Sequence, residues 1–163
     1  RFTTNHDESA WDATPMTLFN GENGAIAASV IAIYLGGVPL IYGSQEVGQE
    51  NTVPFFSSSP IDWTQHPEML ATYKELLGYF NLSETLKTGT LSGYPHSNIV
   101  SFKKTLGTEE ILVLVNVRNN TETYSLPTAI QNTSWKNVFT SESVVLELQI
   151  DLEPYSFFVL RKQ

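Results

Sequence analysis

The chain has 163 residues, 41% of them hydrophobic, and its 17 acidic against 9 basic side chains leave a net charge of −8. That is enough apolar material for one ordinary domain or two small ones, and it excludes a disordered chain. The acidity argues against nucleic acid and anionic membranes, which are held by basic surfaces, while the absence of cysteine excludes disulfides, thiol chemistry and cysteine-ligated zinc.

Arg1-Phe2-Thr3-Thr4 reads as a short strand running into polar Asn5-His6-Asp7-Glu8. Ala25 to Leu35 is alanine-rich and aliphatic with little charge, a buried helix by its length. Gly36 and Gly37 end it. Val38 to Tyr42, apolar on both faces, fits a buried parallel strand. Gly36, Gly37 and Pro39 interrupt the apolar stretch from Ala25 to Tyr42, so no membrane span is expected. Residues 44 to 66 form a long loop, a feature often tied to function in compact domains. Pro67 opens an amphipathic helix with Met69, Tyr73, Leu76, Leu77 and Phe80 on one face and Glu68, Thr72 and Glu75 on the other. A boundary is placed near residue 83, dividing the chain into 1–82 and 83–163. The second half shows short strands around Ile99–Phe102, Ile111–Val117, Tyr124–Leu126, Trp135–Phe139, Val144–Ile150 and Tyr155–Leu160. Turn residues lie between them, the spacing of an antiparallel sandwich. The fold class is therefore α/β followed by all-β. Arg1 opens directly onto polar residues, so no secretory leader is expected within this stretch, and the chain is expected to be a segment of a longer protein.

Asn5-His6-Asp7-Glu8 is the sharpest polar cluster. At the C-terminal end of a strand, an imidazole can hydrogen-bond sugar hydroxyls, and a carboxylate can stabilise positive charge developing on a sugar. The competing interpretation is a helix cap or turn network. Trp11, Trp63 and Trp135 can each offer a ring face to a sugar, but Trp135 lies in a strand pattern and is expected in the core. Glu46, beside Gln45, is a candidate rim contact to sugar or a salt-bridge partner of His6. His66 and His96 are expected to be isolated and solvated.

Phe2-Thr3-Thr4-Asn5-His6-Asp7 resembles the last conserved sequence region of the α-amylase family of glycoside hydrolases. Gly36-Gly37-Val38-Pro39-Leu40-Ile41-Tyr42-Gly43-Ser44-Gln45-Glu46-Val47-Gly48 resembles the eighth barrel strand and following loop of that family. Ser44 stands where an acidic or amide residue is more usual. Ile61-Asp62-Trp63 is similar to an element of the same loop. Leu152-Glu153-Pro154-Tyr155-Ser156-Phe157-Phe158-Val159-Leu160 is similar to the last strand of the family's C-terminal β domain.

The resemblance implies the C-terminal segment of a (β/α)₈ barrel, strands seven and eight with helices over 1–82, followed by an antiparallel β-sandwich over 83–163. It implies that Asp7 is the transition-state-stabilising carboxylate and that His6 contacts the sugar; on their own chemistry and position, Trp11, Trp63 and Glu46 are the further substrate-binding candidates. The family's aspartate nucleophile and glutamate acid have no counterpart here. A retaining glycosidase needs those two carboxyl groups about 5 Å apart, so the chain alone is expected to be inactive. The expected partners are an α-glucan oligosaccharide or polysaccharide and the remainder of the barrel, with no nucleic acid and no membrane span. No metal-ligand spacing and no cofactor is read in this chain, while calcium is possible in the full-length enzyme. The resemblance to polymer-degrading enzymes makes the expected location extracellular, periplasmic or at a bacterial cell surface. The alternatives are a carbohydrate-binding or structural β-sandwich with a barrel remnant, and the same segment of a transglycosylase.

Overall fold

The computed structural model describes residues 1–163. The first half is helical: α1 (His6–Trp11), α2 (Pro15–Leu18), α3 (Glu22–Tyr34), a 3₁₀ turn at Gln45–Val47, α4 (Pro67–Leu82) and the short α5 (Glu84–Thr88). The second half is built from β1 (Thr90–Gly93), β2 (Ile99–Leu106), β3 (Glu109–Asn116), β4 (Glu122–Ser125), β5 (Thr133–Asn137), β6 (Ser143–Leu146), β7 (Gln149–Leu152) and β8 (Phe157–Lys162). No helix is long and apolar enough to cross a membrane.

All strand pairs are antiparallel, in a six-stranded sheet of order β1-β2-β3-β8-β5-β6 and a two-stranded sheet β4-β7. The near-continuous apolar run of β3 follows from this arrangement, because both of its faces are covered. Ile111, Val113 and Val115 join a core with α3, α4 and α5, while Leu112 and Leu114 join a second core with Tyr124, Trp135, Leu146 and Leu152. The two-residue period of a strand sorts neighbouring side chains into those two cores.

α3 and α4 start and stop for local reasons. Pro67 sits in the first turn of α4, where a missing N–H costs nothing. Beyond α3, Gly36 and Gly37 take φ of 131° and 76°, conformations that side-chain-bearing residues rarely adopt. α3 turns Ala25, Val30, Ile33 and Tyr34 inward against Met69, Tyr73 and Leu76 of α4. Its other side (Ala28, Ile31, Ala32 and Leu35), with Phe2 and Phe19, borders an open cleft of about 540 Å³.

Three expectations are revised. Residues 1–4 and 38–42 are not strands. The amino group of Arg1 donates to the Val38 carbonyl at 2.6 Å, and Leu40 N–H donates to the Arg1 carbonyl at 2.7 Å. That pair is the bonding of one parallel bridge. A ladder needs more rungs and covered faces, and here Phe2, Val38 and Leu40 are exposed. The single strand expected over Val144–Ile150 is two, β6 and β7. Between them the chain crosses from the large sheet to the small one, where the carbonyls of Glu147 and Leu148 accept from Asn132 and Leu126. His66 is not solvated and alone, since its Nδ1 lies 3.1 Å from Glu22 Oε2 and ties the start of α4 to the start of α3.

Ser83 caps α5 by accepting from Leu86 N–H. Packing is continuous across this point, because the first core draws on α3, α4, α5, β2, β3 and β8 together.

Candidate active site

The polar cluster at the start of the chain is held by a cap. Asn5 has extended backbone, and its side-chain oxygen accepts from the N–H groups of Asp7 at 2.8 Å and Glu8 at 3.0 Å. This satisfies two of the donors that a helix start leaves open. Behind it, the buried hydroxyls of Thr4 and Ser9 bond at 3.0 Å. Asn5 is thus a structural partner, and its cap fixes the backbone of His6 and Asp7. His6 Nε2 lies 3.6 Å from Asp7 Oδ2, and both side chains are nearly two-thirds exposed. An imidazole and a carboxylate so exposed interact weakly with each other and are free to meet a ligand.

The long loop folds back over α1. Val53 N–H donates to the Ser9 carbonyl at 2.9 Å, and Thr14 Oγ1 donates to the Glu50 carbonyl at 3.1 Å. These tethers bring Phe55 between His6 and Trp11, with ring centroids 5.6 Å from each. Phe55 is not among the residues that the sequence singles out. Its place depends on a loop tether to α1, which no local sequence pattern encodes.

The remaining candidates lie elsewhere. Trp63 is half-exposed and outside this ring cluster, with Cη2 3.9 Å from where a Cβ on Gly43 would stand. Glu46 forms no salt bridge with His6, whose ionic neighbour is Asp7. Its Oε2 is buried without a hydrogen-bond partner. The 3₁₀ turn directs it toward Tyr73, whose phenol is pushed up chiefly by burial, with the Glu46 charge adding to the effect.

That turn is fastened by its neighbour. Gln45 Nε2 donates to Thr3 Oγ1 at 3.1 Å and to Tyr73 Oη at 3.0 Å, and Gln45 Oε1 accepts from Tyr42 N–H at 2.9 Å. Tyr73 Oη also bonds Ser29 Oγ at 2.7 Å, so its proton is available to Ser29 while it accepts from Gln45. One amide therefore links α4, the loop and the residues that lead into α1. Gly48 closes the turn at φ 64°, where a Cβ would stand 2.7 Å from His66 Cδ2. Ser44 takes φ 87°, a strained value for a residue with a side chain, which asparagine or aspartate tolerates better. Tyr73→Phe is expected to leave buried Gln45 and Ser29 groups unpaired and to destabilise by roughly 1–3 kcal/mol. Thermal unfolding checks it, and an unchanged melting temperature would show that this network does not hold the turn.

No three His, Asp or Glu side chains converge in this chain.

No family model matches the chain. It is 26% identical over 154 residues to α-amylase 2 of Dictyoglomus thermophilum, covering 86% of this chain and 26% of that protein. Its fold superposes with a TM-score of 0.83 on a noncanonic maltogenic α-amylase from Thermotoga neapolitana, at 18% identity, over 99% of this chain and 40% of that one. It superposes with a TM-score of 0.74 on the enzyme AmyP carrying a Glu-to-Gln substitution in complex with maltotriose, at 14% identity, over 87% of this chain and 35% of that one. The chain thus spans about a quarter of the curated relative and less than half of each structure. Sequence and fold agree, and this chain corresponds to a portion of the α-amylase-family enzymes.

Proposed function

We propose that the chain is the C-terminal part of a retaining glycoside hydrolase acting on α-glucans, and that it supplies the transition-state-stabilising carboxylate and a sugar-binding imidazole. Residues 1–82 are the last part of the catalytic barrel, and residues 83–163 are the C-terminal β domain. The observation that carries this reading is the capped, exposed His6–Asp7 pair beside a ring wall. An ionised Asp7 lowers the cost of positive charge on the sugar as the glycosidic bond breaks. The His6 ring hydrogen-bonds a hydroxyl of the same sugar and orients it. The nucleophile and the general acid come from residues outside this chain.

Other features support a larger protein around this segment. The exposed Phe2, Val38 and Leu40 and the open side of α3 suit further barrel elements. The buried, unpaired Oε2 of Glu46 suits a donor from them. A free-standing carbohydrate-binding sandwich is less well supported. The exposed large apolar side chains of the second half are Leu91, Leu106, Val145 and Leu148, with no ring among them.

The test is an activity assay on a chromogenic maltooligosaccharide, with this chain alone beside the longer enzyme. Turnover is expected only from the longer enzyme, and its products separate hydrolysis from transfer to another sugar. Turnover by the chain alone would mean a complete catalytic set within it and would overturn the reading.

A further inference from the structure

We propose that Phe56 is a platform for a second sugar ring, extending the site along an α-glucan beyond the ring met by His6 and Asp7. The inference rests on the function proposed above and names where a longer substrate lies.

Phe56 is 92% exposed, Trp11 70% and Phe55 40%. Single exposed rings are ordinary on protein surfaces, but a contiguous set beside polar groups is a mark of ligand contact. The set here is contiguous. Phe55 meets His6, Trp11 and Phe56, the last with centroids 6.0 Å apart and planes at 79°. Phe55 does not stack on Phe56, and the 92% exposure of Phe56 leaves its ring open to a ligand. Phe55 is the hub, more buried than Trp11 and Phe56 and adjoining all three neighbouring rings.

The loop that carries Phe56 is held to α1 through Val53 and Thr14, so the platform is placed relative to Asp7 and does not depend on a free loop. An open aromatic face beside an imidazole and a carboxylate matches the two surfaces of a pyranose. Its apolar C–H face lies on a ring, and its hydroxyls meet polar groups. A lipid or an apolar peptide would have no use for His6 and Asp7 in the same patch. A second occupant, another segment of the longer protein, would bury Phe56 for stability and would not distinguish substrates by length.

The experiment uses the longer enzyme and its Phe56→Ala and Phe56→Tyr variants, with kcat and KM measured on maltotriose and on maltoheptaose, and the melting temperature recorded. Phe56→Ala is expected to lower kcat/KM on maltoheptaose about five- to tenfold more than on maltotriose, chiefly through KM. Phe56→Tyr restores the preference, and the melting temperature stays the same. Equal losses on the two substrates overturn the platform, and equal losses with a lowered melting temperature show that protein covers Phe56 instead. Unmodified enzyme inactive on both sugars overturns the underlying hydrolase reading, an outcome distinct from either.

Discussion

Asp7→Asn in the longer enzyme is expected to lower turnover of maltooligosaccharides by at least about a thousandfold while the protein folds as before. The two halves of that expectation rest on different atoms. Folding uses the Asp7 backbone N–H, which donates to the Asn5 side chain, and the substitution leaves that donor in place. The Asp7 side chain is 63% exposed, and surface changes of this kind move stability by only about 0.5 kcal/mol. A further few tenths are lost because a negative charge no longer faces the start of α1. Catalysis depends on the carboxylate charge itself. Removing one neutral donor from a preorganised site costs about 100- to 1000-fold, and removing a full charge opposite a developing cation costs more. Substrate binding weakens less than turnover, because charge on the sugar appears mainly in the transition state. The measurement is kcat and KM beside a thermal melt. Near-normal turnover would remove Asp7 from the mechanism, and a lost fold would make the low activity uninformative about chemistry. Asp7→Glu is the companion variant, retaining charge but displacing it, and is expected to recover part of the loss.

The sequence carried the elements whose causes are local. The Pro67 start and the apolar face of α4 are written in neighbouring residues, and the paired glycines mark the end of α3. The short apolar run from Ile111 to Val115 marks a strand, and its lack of polar positions fits one covered on both faces. What covers each face is not local, and the helical layer on one side emerges only in three dimensions. The same distinction runs through the site. His6 and Asp7 are visible as a block, and the role of Asn5 as cap follows from its type and position. Phe55 reaches His6 and Trp11 only because Val53 and Thr14 bind the loop to α1, a contact between segments far apart in sequence. Glu46 shows the limit from the other side. Its chemistry suggested a partner for His6, but the 3₁₀ turn, fixed by Gln45 and Tyr73, aims it inward. Segments 1–4 and 38–42 have strand-like composition but share only one bridge, because strand structure depends on neighbours as well as on residue type.

Trp135→Ala is expected to destabilise the chain by about 3–5 kcal/mol, the range for truncating a large buried aromatic. Trp135 is 1% exposed, at the centre of the core between the two sheets, with Ile99, Leu112, Leu114, Tyr124, Leu146, Leu152 and Leu160. It pairs across the sheet with Val144 on one side and Lys162 on the other. Alanine there leaves β5 without the side chain that fills the space between its two neighbouring strands and the small sheet. The indole N–H donates to Thr133 Oγ1 at 2.7 Å, and Thr133 passes its own proton to the Ile130 carbonyl at 2.6 Å. Loss of the indole therefore leaves Thr133 satisfied, and the cost lies in lost packing and the cavity. Trp135→Phe separates these terms, since it keeps most of the packing and loses only the N–H bond, and should cost about 1–2 kcal/mol. For a chain of this size the alanine variant corresponds to a melting temperature lower by roughly 10 °C. Urea unfolding followed by circular dichroism gives the free energy directly. An unchanged midpoint would mean that the ring is not packed as the core requires, and the sandwich assignment of β5 would fail with it. Since domains of this kind are stable by only about 5–15 kcal/mol, one ring accounts for a large share of what holds the β half together.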